Sequence, residues 1–214
     1  MKTIFVMLFL WAFTSQAGTH FPKRVLMMVS EGFYAPEYYK PLKAFKEAGF
    51  LVTTATKYNR PTKPDERQLQ TASPVIPDLT FKQINANDYD AIVFAGGNGA
   101  WEDFFPNRDV HKALTSFMGQ KKLVALLCSS TGLLGFANNL DAKGTPIAKG
   151  AKTTGYEKVE GILTVLGKVN LLTGDKNKPF VVTDGNLITG RDPMSSNLFA
   201  ETIIHYLNRI DEGD

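Results

Sequence analysis

The sequence has few of the residues that form disulfide bonds or bind metal ions. It contains one cysteine and three histidines among 214 residues. A single cysteine excludes an intramolecular disulfide, a zinc site made of several cysteines and an iron–sulfur cluster. His20, His111 and His205 have no metal-ligand spacing to one another or to the cysteine. We therefore expect no metal site.

A strong excess of charge of one sign is also missing. The chain has 24 Lys and Arg against 21 Asp and Glu, and no stretch concentrates the formal net charge of +3. So small an excess does not favour a nucleic-acid partner. A hydrophobic content of 43% with 21% charged residues excludes a disordered chain, and the length suits one globular domain.

Long apolar runs are missing outside the N-terminus. Lys2 precedes an unbroken apolar run at residues 4–13, and small residues follow up to Ala17. This order is typical of a secretory signal peptide. The alternative is an uncleaved membrane anchor, but a spanning helix needs about 20 apolar residues. We predict a signal peptide at residues 1–17 and one domain at residues 18–214. The mature protein would be secreted or periplasmic, without a membrane partner.

Strand-like and helix-like patterns alternate along the rest of the chain. Short apolar runs predict strands buried on both faces, and apolar residues at helical spacing predict the helices between them. The order predicts an α/β fold with a mainly parallel sheet and helices on both faces. The predicted strands are 24–29, 50–55, 89–95 and 123–127, with a hairpin around Asp184-Gly185; the predicted helices are 38–48, 107–120, a segment from Cys128 to Asn139, and 195–210.

Cys128 is the first candidate for chemistry. It follows an apolar strand and precedes a helix that opens with Ser129-Ser130-Thr131-Gly132. A strand–nucleophile–helix elbow exposes its nucleophile at the sheet edge, and a thiol over a helix N-terminus favours the thiolate. The pattern therefore predicts a reactive Cys128 with a lowered pKa. The alternative is a small buried hydrophobic residue, as many lone cysteines are.

A glycine-rich loop at residues 96–99 follows the third predicted strand. Its residues Gly96, Gly97 and Asn98 can bring backbone N–H groups close to a ligand. An oxyanion hole facing Cys128 is one interpretation. A phosphate cradle is another, although the spacing matches neither a P-loop nor a dinucleotide fingerprint. A tight turn remains a third.

Glu37 follows the first predicted strand, at the start of the first helix. The carboxyl ends of parallel strands share one sheet edge, so Glu37 is expected near Cys128. A carboxyl beside a thiol can be held protonated and donate a hydrogen bond to the sulfur, and the two groups would titrate together. The alternative role is an electrostatic cap of the helix N-terminus.

Together these motifs resemble the ThiJ/PfpI superfamily, which includes the parkinsonism-associated deglycase, and its chaperone/glyoxalase III-like branch in particular. The resemblance covers nearly the whole predicted domain. It rests on the first strand with Glu37 and Pro41, on the YDAIVFAGG stretch at 89–97, on the elbow at 123–128 with Gly132, on 152–157, and on the DGNLITGRDPMSS stretch at 184–196.

The resemblance implies a flavodoxin-like three-layer sandwich of the class I glutamine amidotransferase-like type, commonly a homodimer. It implies catalytic roles for Cys128 and Glu37, and an oxyanion hole made by Gly97 and the N–H of Ser129. The implied activities need no cofactor and act on a small aldehyde or glycated substrate, as glyoxalase III or deglycase. The other implied role is a redox-sensing or stress-protective, chaperone-like protein with little catalysis.

The sequence departs from the family pattern at the general base. Many enzymatic members have a histidine immediately after the cysteine, where this chain has Ser129, and others supply one from a loop that aligns with 144–146, where this chain has none. Arg191-Asp192 also replaces the usual Gln-Asn. Loss of a general base typically lowers a rate about 10²–10⁴-fold, so Glu37 is the remaining candidate for moving the proton.

Overall fold

The computed structural model describes residues 21–138 and 143–211, and the predicted signal peptide lies outside them. A seven-stranded sheet forms its centre, in the strand order β3-β2-β1-β4-β5-β9-β8. Neighbouring strands are parallel except β8 and β9, which form the predicted antiparallel hairpin. A separate parallel pair joins β6 and β7. The strands are β1 Arg24–Met28, β2 Leu51–Thr56, β3 Leu79–Thr80, β4 Ala91–Phe94, β5 Leu123–Leu127, β6 Lys152–Thr153, β7 Asn170–Leu171, β8 Val181–Asp184 and β9 Leu187–Gly190.

Helices cover both faces of the large sheet, as the alternation predicts. Because successive side chains of a strand point to opposite faces, the fully buried strands β1, β4 and β5 feed two apolar cores. One core packs against α3 and the other against α1 and α5. The α-helices are α1 Ala35–Glu47, α2 Ala100–Asp103, α3 Arg108–Gly119, α4 Leu133–Phe136 and α5 Ser196–Asp211.

Two helices differ from prediction by more than one residue at an end. Helix α1 begins three residues before the predicted start, because Pro36 suits the first turn of a helix. The helix predicted from Cys128 to Asn139 is shorter: a 3-10 segment at Cys128–Gly132 leads into α4, which ends at Phe136. Ala137 is already extended and Asn138 bridges to Pro146, so the backbone has left the helix there.

The segment between β2 and β3 contributes to the region that holds the candidate site. It is a long, proline-rich excursion that folds back onto the sheet edge. Phe33 bridges to Pro64 on one side and Gly97 on the other, which places residues 63–68 beside the glycine loop. Within the described part of the chain, no helix is long and apolar enough to span a membrane.

Candidate active site

Cys128 lies at the turn between β5 and the following 3-10 segment, as the elbow pattern predicts. Its φ of 60° is in the left-handed region, where a non-glycine residue is strained. Two hydroxyls hold this turn. Ser130 Oγ accepts from the Leu127 N–H at 3.0 Å and donates to the Leu127 carbonyl at 2.7 Å, and Thr131 Oγ1 donates to the Cys128 carbonyl at 2.7 Å. Hydrogen bonds to the backbone of Leu127 and of Cys128 therefore hold this strained conformation.

Glu37 lies in the first turn of α1 and is 1% exposed. Burial raises the pKa of its carboxyl to about 8, because the charged form loses its hydration, and the hydrogen-bonding contributions of Cys128 and the Gly96 N–H lower it only in part. Among the described residues, no donor is close enough and well enough aligned to form a regular hydrogen bond with either carboxyl oxygen. At neutral pH Glu37 is thus a carboxylic acid with hydrogen-bonding capacity unused.

The structure brings Glu37 and Cys128 together across Gly96. A Cβ atom at Gly96 would overlap the Glu37 carboxyl and would lie 2.8 Å from the Cys128 Cβ and 2.6 Å from the Leu127 carbonyl oxygen. Only glycine leaves room for the carboxyl and the thiol to meet at this edge. The predicted juxtaposition of these two residues is present in the structure.

The pKa of Cys128 moves in the direction opposite to our expectation. Burial, and after it the negative charge and hydrogen bond of Glu37, raise the pKa of the thiol well above its ordinary value. The Ser129 N–H lowers it, but the helical segment behind Cys128 is too short to add much more. The prediction of a lowered thiol pKa is therefore wrong for the unliganded site.

Glu37 and Cys128 are consequently one titrating pair. Two adjacent negative charges in a buried site repel, so the pair loses its first proton far more easily than its second. The first loss occurs near the pKa of about 8 of Glu37. The resulting monoanion can hold its charge on either group, and proton transfer between carboxyl and sulfur interconverts thiolate and carboxylate.

The glycine loop is tied to the elbow by Ser129. Gly97 has a φ of +130°, and its N–H donates to Ser129 Oγ at 2.9 Å while that hydroxyl donates to the Gly97 carbonyl at 2.7 Å. The Gly97 N–H predicted for an oxyanion hole is therefore engaged by the side chain of Ser129. An oxyanion would reach this N–H by displacing the Ser129 hydroxyl.

Asn98 binds the segment between β2 and β3. Its Nδ2 donates to Asp65 Oδ2 at 3.1 Å, and Asp65 also accepts from Arg67 Nε at 2.7 Å. Asp65 is 5% exposed, and its pKa is lowered, chiefly by Arg67. This cluster fixes Arg67 beside the glycine loop.

A pocket of about 230 Å³ contains Cys128 and Glu37 at its buried end. This is below the roughly 300–1,000 Å³ of sites for drug-sized ligands, which indicates a small ligand. A wider groove of about 620 Å³ adjoins it and shares Arg67 and Asn98. The pocket is lined by Tyr34, Glu37, Arg67, Gly97, Asn98, Trp101, Cys128, Ser129, Tyr156, Lys158 and Pro193.

Several of these lining residues escaped the sequence reasoning. Trp101 follows the glycine loop directly, and Tyr156 belongs to the 152–157 stretch that carries the family resemblance, so both had a usable signal. Arg67 and Lys158 had none, because a charged residue in a surface segment is usually only solvated. No described histidine lines the pocket, and the Nε2 atom of His111 contacts the Phe105 carbonyl oxygen at 2.7 Å. No group of three metal-ligating side chains occurs among residues 21–138 and 143–211.

The model of the DJ-1/PfpI family matches residues 23–206. The chain belongs to the DJ-1/PfpI family. It is 31% identical over 141 residues to Glyoxalase 3 of Candida albicans, covering 56% of this chain and 59% of that protein. It is 29% identical to General stress protein 18 of Bacillus subtilis, covering 80% and 90% of the two chains. The structure of Drosophila melanogaster DJ-1beta superimposes with a TM-score of 0.72 at 25% identity, covering 87% and 91%. Both the family and the flavodoxin-like α/β sandwich expected from the sequence are confirmed.

Proposed function

We propose that this chain is an exported, cofactor-independent enzyme that converts small reactive aldehydes, as glyoxalase III does, with Cys128 as nucleophile and Glu37 as proton carrier. The observation that carries the proposal is a carboxyl held neutral up to a pKa of about 8 beside the chain's single cysteine. Once the pair has lost one proton, the Glu37 carboxylate can act as the general base that the missing histidine would supply. The relatives named glyoxalase support the reaction class.

The reaction balances without an oxidant or a cofactor. After the pair loses one proton, the Cys128 thiolate adds to the aldehyde carbon of methylglyoxal, and the carbonyl oxygen takes the proton of the Glu37 carboxyl to give a hemithioacetal. The Glu37 carboxylate then removes the hydrogen from that carbon as a proton and returns it to the neighbouring ketone carbon, while the hydroxyl proton passes from the first carbon's oxygen to the second's. The first carbon is thereby oxidised to a thioester while the second is reduced to an alcohol. Water then cleaves the thioester, releasing lactate and restoring the thiol.

The pocket suits this sequence of steps. Its volume of about 230 Å³ admits a small dicarbonyl, and Cys128, 6% exposed, lines it. Burial also strengthens the electrostatic effect of each proton transfer, because few water dipoles compete. The Ser129 N–H is the donor proposed for the developing oxyanion, because the Ser129 hydroxyl is engaged with both the N–H and the carbonyl of Gly97.

Turnover of methylglyoxal by the purified protein tests the proposal. We expect lactate to form at a rate that Cys128→Ala abolishes and Glu37→Gln lowers about 10²-fold or more. Glu47→Gln, on the exposed end of the same helix, is the matched control and should keep the wild-type rate. Lactate formation by Cys128→Ala at the wild-type rate would overturn the assignment of the nucleophile.

A second candidate function is a redox-sensing or protective thiol. The unpartnered Glu37 carboxyl favours it, since a protonated carboxyl can donate a hydrogen bond to a sulfenate or sulfinate oxygen on Cys128. Peroxide treatment followed by mass spectrometry distinguishes the two. A sensor forms an oxidised Cys128 that Glu37→Gln destabilises, and it shows no methylglyoxal turnover.

A further inference from the structure

We infer that the reactive pocket selects aldehydes that carry a carboxylate or phosphate group, and that Lys158 and Arg67 bind that group. This inference rests on the proposed function, because it names the substrate class of the same pocket. It also extends that function, since methylglyoxal itself carries no charge.

The charges that line the pocket are predominantly positive. Lys158 and Arg67 are its two cationic side chains, and Glu37 is its one acidic side chain. Glu37 is uncharged at neutral pH, since its pKa is about 8. The lining therefore presents Lys158, and Arg67 with its charge partly neutralised by Asp65, around a neutral floor, which favours an anionic ligand.

The two cations differ in how firmly they are held. Arg67 donates from Nε and Nη2 to the two oxygens of Asp65, at 2.7 and 3.0 Å, and its guanidinium lies over the Tyr34 ring at 6.0 Å. Its Nη1 has no partner among the described residues and is left for a ligand. Lys158 is exposed and forms no ion pair or hydrogen bond within the described part of the chain. Its charge is thus uncompensated.

Three acidic side chains in and around the pocket region are paired with cations. Asp192, whose negative charge acts on both Glu37 and Cys128, binds Arg191 Nε at 2.9 Å. In the adjoining groove, Asp103 binds Lys57 at 3.0 Å and Glu31 binds Arg60 at 3.1 Å. These pairs reduce the repulsion of an incoming anion. Glu66 and Glu102 line that groove but not the reactive pocket.

The walls fix the size of the rest of the ligand. Three aromatic side chains, Tyr34, Trp101 and Tyr156, line the same pocket as the thiol and the cations. A ligand with an aldehyde at Cys128 and an anionic group at Lys158 fills a pocket of about 230 Å³ with only a short carbon chain between them. The site therefore suits short acidic aldehydes and not long or cationic ones.

The alkylation rates of Cys128 with iodoacetate and iodoacetamide test the inference. These reagents differ in charge but little in size, and Cys128 is the chain's single thiol. Both attack the same thiolate, so dividing one rate by the other removes the ionised fraction of the thiol. Dividing again by the same ratio for N-acetylcysteine amide, which carries no charge besides its thiolate, removes the reagents' intrinsic reactivity and leaves the preference of the pocket.

We expect the normalised ratio to exceed one, to fall with added salt, and to fall about threefold in Lys158→Met and in Arg67→Met. Lys149→Met, an exposed lysine outside the pocket, is the matched control and should leave the ratio unchanged. A normalised ratio of one or less overturns the inference, as does an equal fall in Lys158→Met and Lys149→Met. Failure of either reagent to reach Cys128 overturns it too.

The result of the alkylation test does not depend on whether the protein converts methylglyoxal. Methylglyoxal is neutral, so its turnover measures the chemistry of Cys128 and Glu37 without the cations. A protein that converts methylglyoxal but shows a ratio of one has the proposed activity without charge selection. A protein with a high ratio and no turnover has an anion-selective thiol site that is not a glyoxalase.

Discussion

A carboxyl group buried away from water favours its protonated form, because the charged form loses its hydration. Glu37 is such a group, and the structure places it against the one thiol of the chain. Burial sets the pKa of the carboxyl to about 8 and raises that of the thiol further. Reactivity at the residue scale therefore depends on a single proton shared by two buried groups, and not on a permanently ionised cysteine.

The Glu37→Gln variant should remove a pH dependence of stability. The folded pKa of Glu37 is raised from 4.5 to about 8, so the folded protein binds the extra proton and its stability is fully present below about 4.5. That stability is lost as the pH rises through about 8. At about 1.4 kcal/mol per pKa unit, the loss is at most about 5 kcal/mol.

Denaturant unfolding at a series of pH values measures this effect. The free energy of unfolding of Glu37→Gln, relative to wild type, should increase between about pH 5 and 8. Glu47→Gln serves as the control and should follow the wild-type curve. Parallel curves for wild type and Glu37→Gln would show that Glu37 is ionised in the folded protein at neutral pH.

Replacement of Gly96 by alanine tests the contact between carboxyl and thiol sterically. The new Cβ overlaps the Glu37 carboxyl and presses on the Leu127 carbonyl and the Cys128 Cβ. We expect a loss of stability of about 2–3 kcal/mol, as for other overpacked buried sites, together with loss of turnover. Gly119→Ala is the control: a Cβ there meets nothing within 4 Å, so stability should be unchanged or slightly higher. Wild-type turnover in Gly96→Ala would show that the close approach is unnecessary.

At the scale of elements, Arg191 fastens the connection between β7 and β8 to the end of β9. Its guanidinium is 8% exposed and donates to the carbonyls of Thr173, Asp175, Lys176 and Lys178, and to the Asp192 carboxylate. Asp192 in turn accepts from the N–H of Ser195 ahead of α5. The Arg191-Asp192 dipeptide, a departure from the family pattern, therefore supports the loop and the helix start beside the pocket.

The Arg191→Lys variant should loosen this connection. A lysine keeps the charge but cannot reach several carbonyls in one plane. We expect a loss of about 2 kcal/mol of stability and faster proteolysis within residues 173–178. Arg108→Lys, at an exposed position in α3, provides the matched substitution with no expected effect. Unchanged proteolysis in Arg191→Lys would contradict the role of the guanidinium.

The elements differ in how well the sequence predicts them. Strands β1, β4 and β5 are buried on both faces, so their apolar runs identified them, and the Asp184-Gly185 turn identified the hairpin. The helix after Cys128 is shorter than its sequence pattern predicts. The pattern does not show that the backbone leaves the helix at Ala137 and that Asn138 pairs with Pro146. Arg67 was missed because the segment that carries it gains a functional position only through long-range pairing with the sheet edge.

At the scale of the whole molecule, the sequence predicts some features of the candidate site and not others. Glu37, Cys128 and the glycine loop all follow strands of a parallel sheet, and topology alone brings their ends to one edge. The pKa of Cys128 was mispredicted because a sequence shows the nearby helix start but not the depth of burial. Charge selection by Lys158 and Arg67 depends on two distant segments, which no local pattern connects.

Export and self-association remain predictions at this scale. The signal peptide expected at residues 1–17 predicts that the native protein begins at Gly18, which intact mass and N-terminal sequencing check. A native protein that retains Met1 would contradict it.

The family resemblance predicts a homodimer, and sedimentation equilibrium of the purified protein should give twice the chain mass. A concentration-independent monomer would contradict that expectation.

The central claim, that Glu37 is a carboxylic acid coupled to Cys128, is tested most directly by an infrared titration of the Glu37 carboxyl. The carbonyl band of the protonated acid is assigned by subtracting the Glu37→Gln spectrum. We predict that the band is present at neutral pH and disappears with a midpoint near pH 8. Cys128→Ala should move the midpoint upward, because the hydrogen-bonding contribution of the thiol lowers the pKa of Glu37. A band already lost near the ordinary value of 4.5, or a midpoint that Cys128→Ala leaves unchanged, would contradict the account.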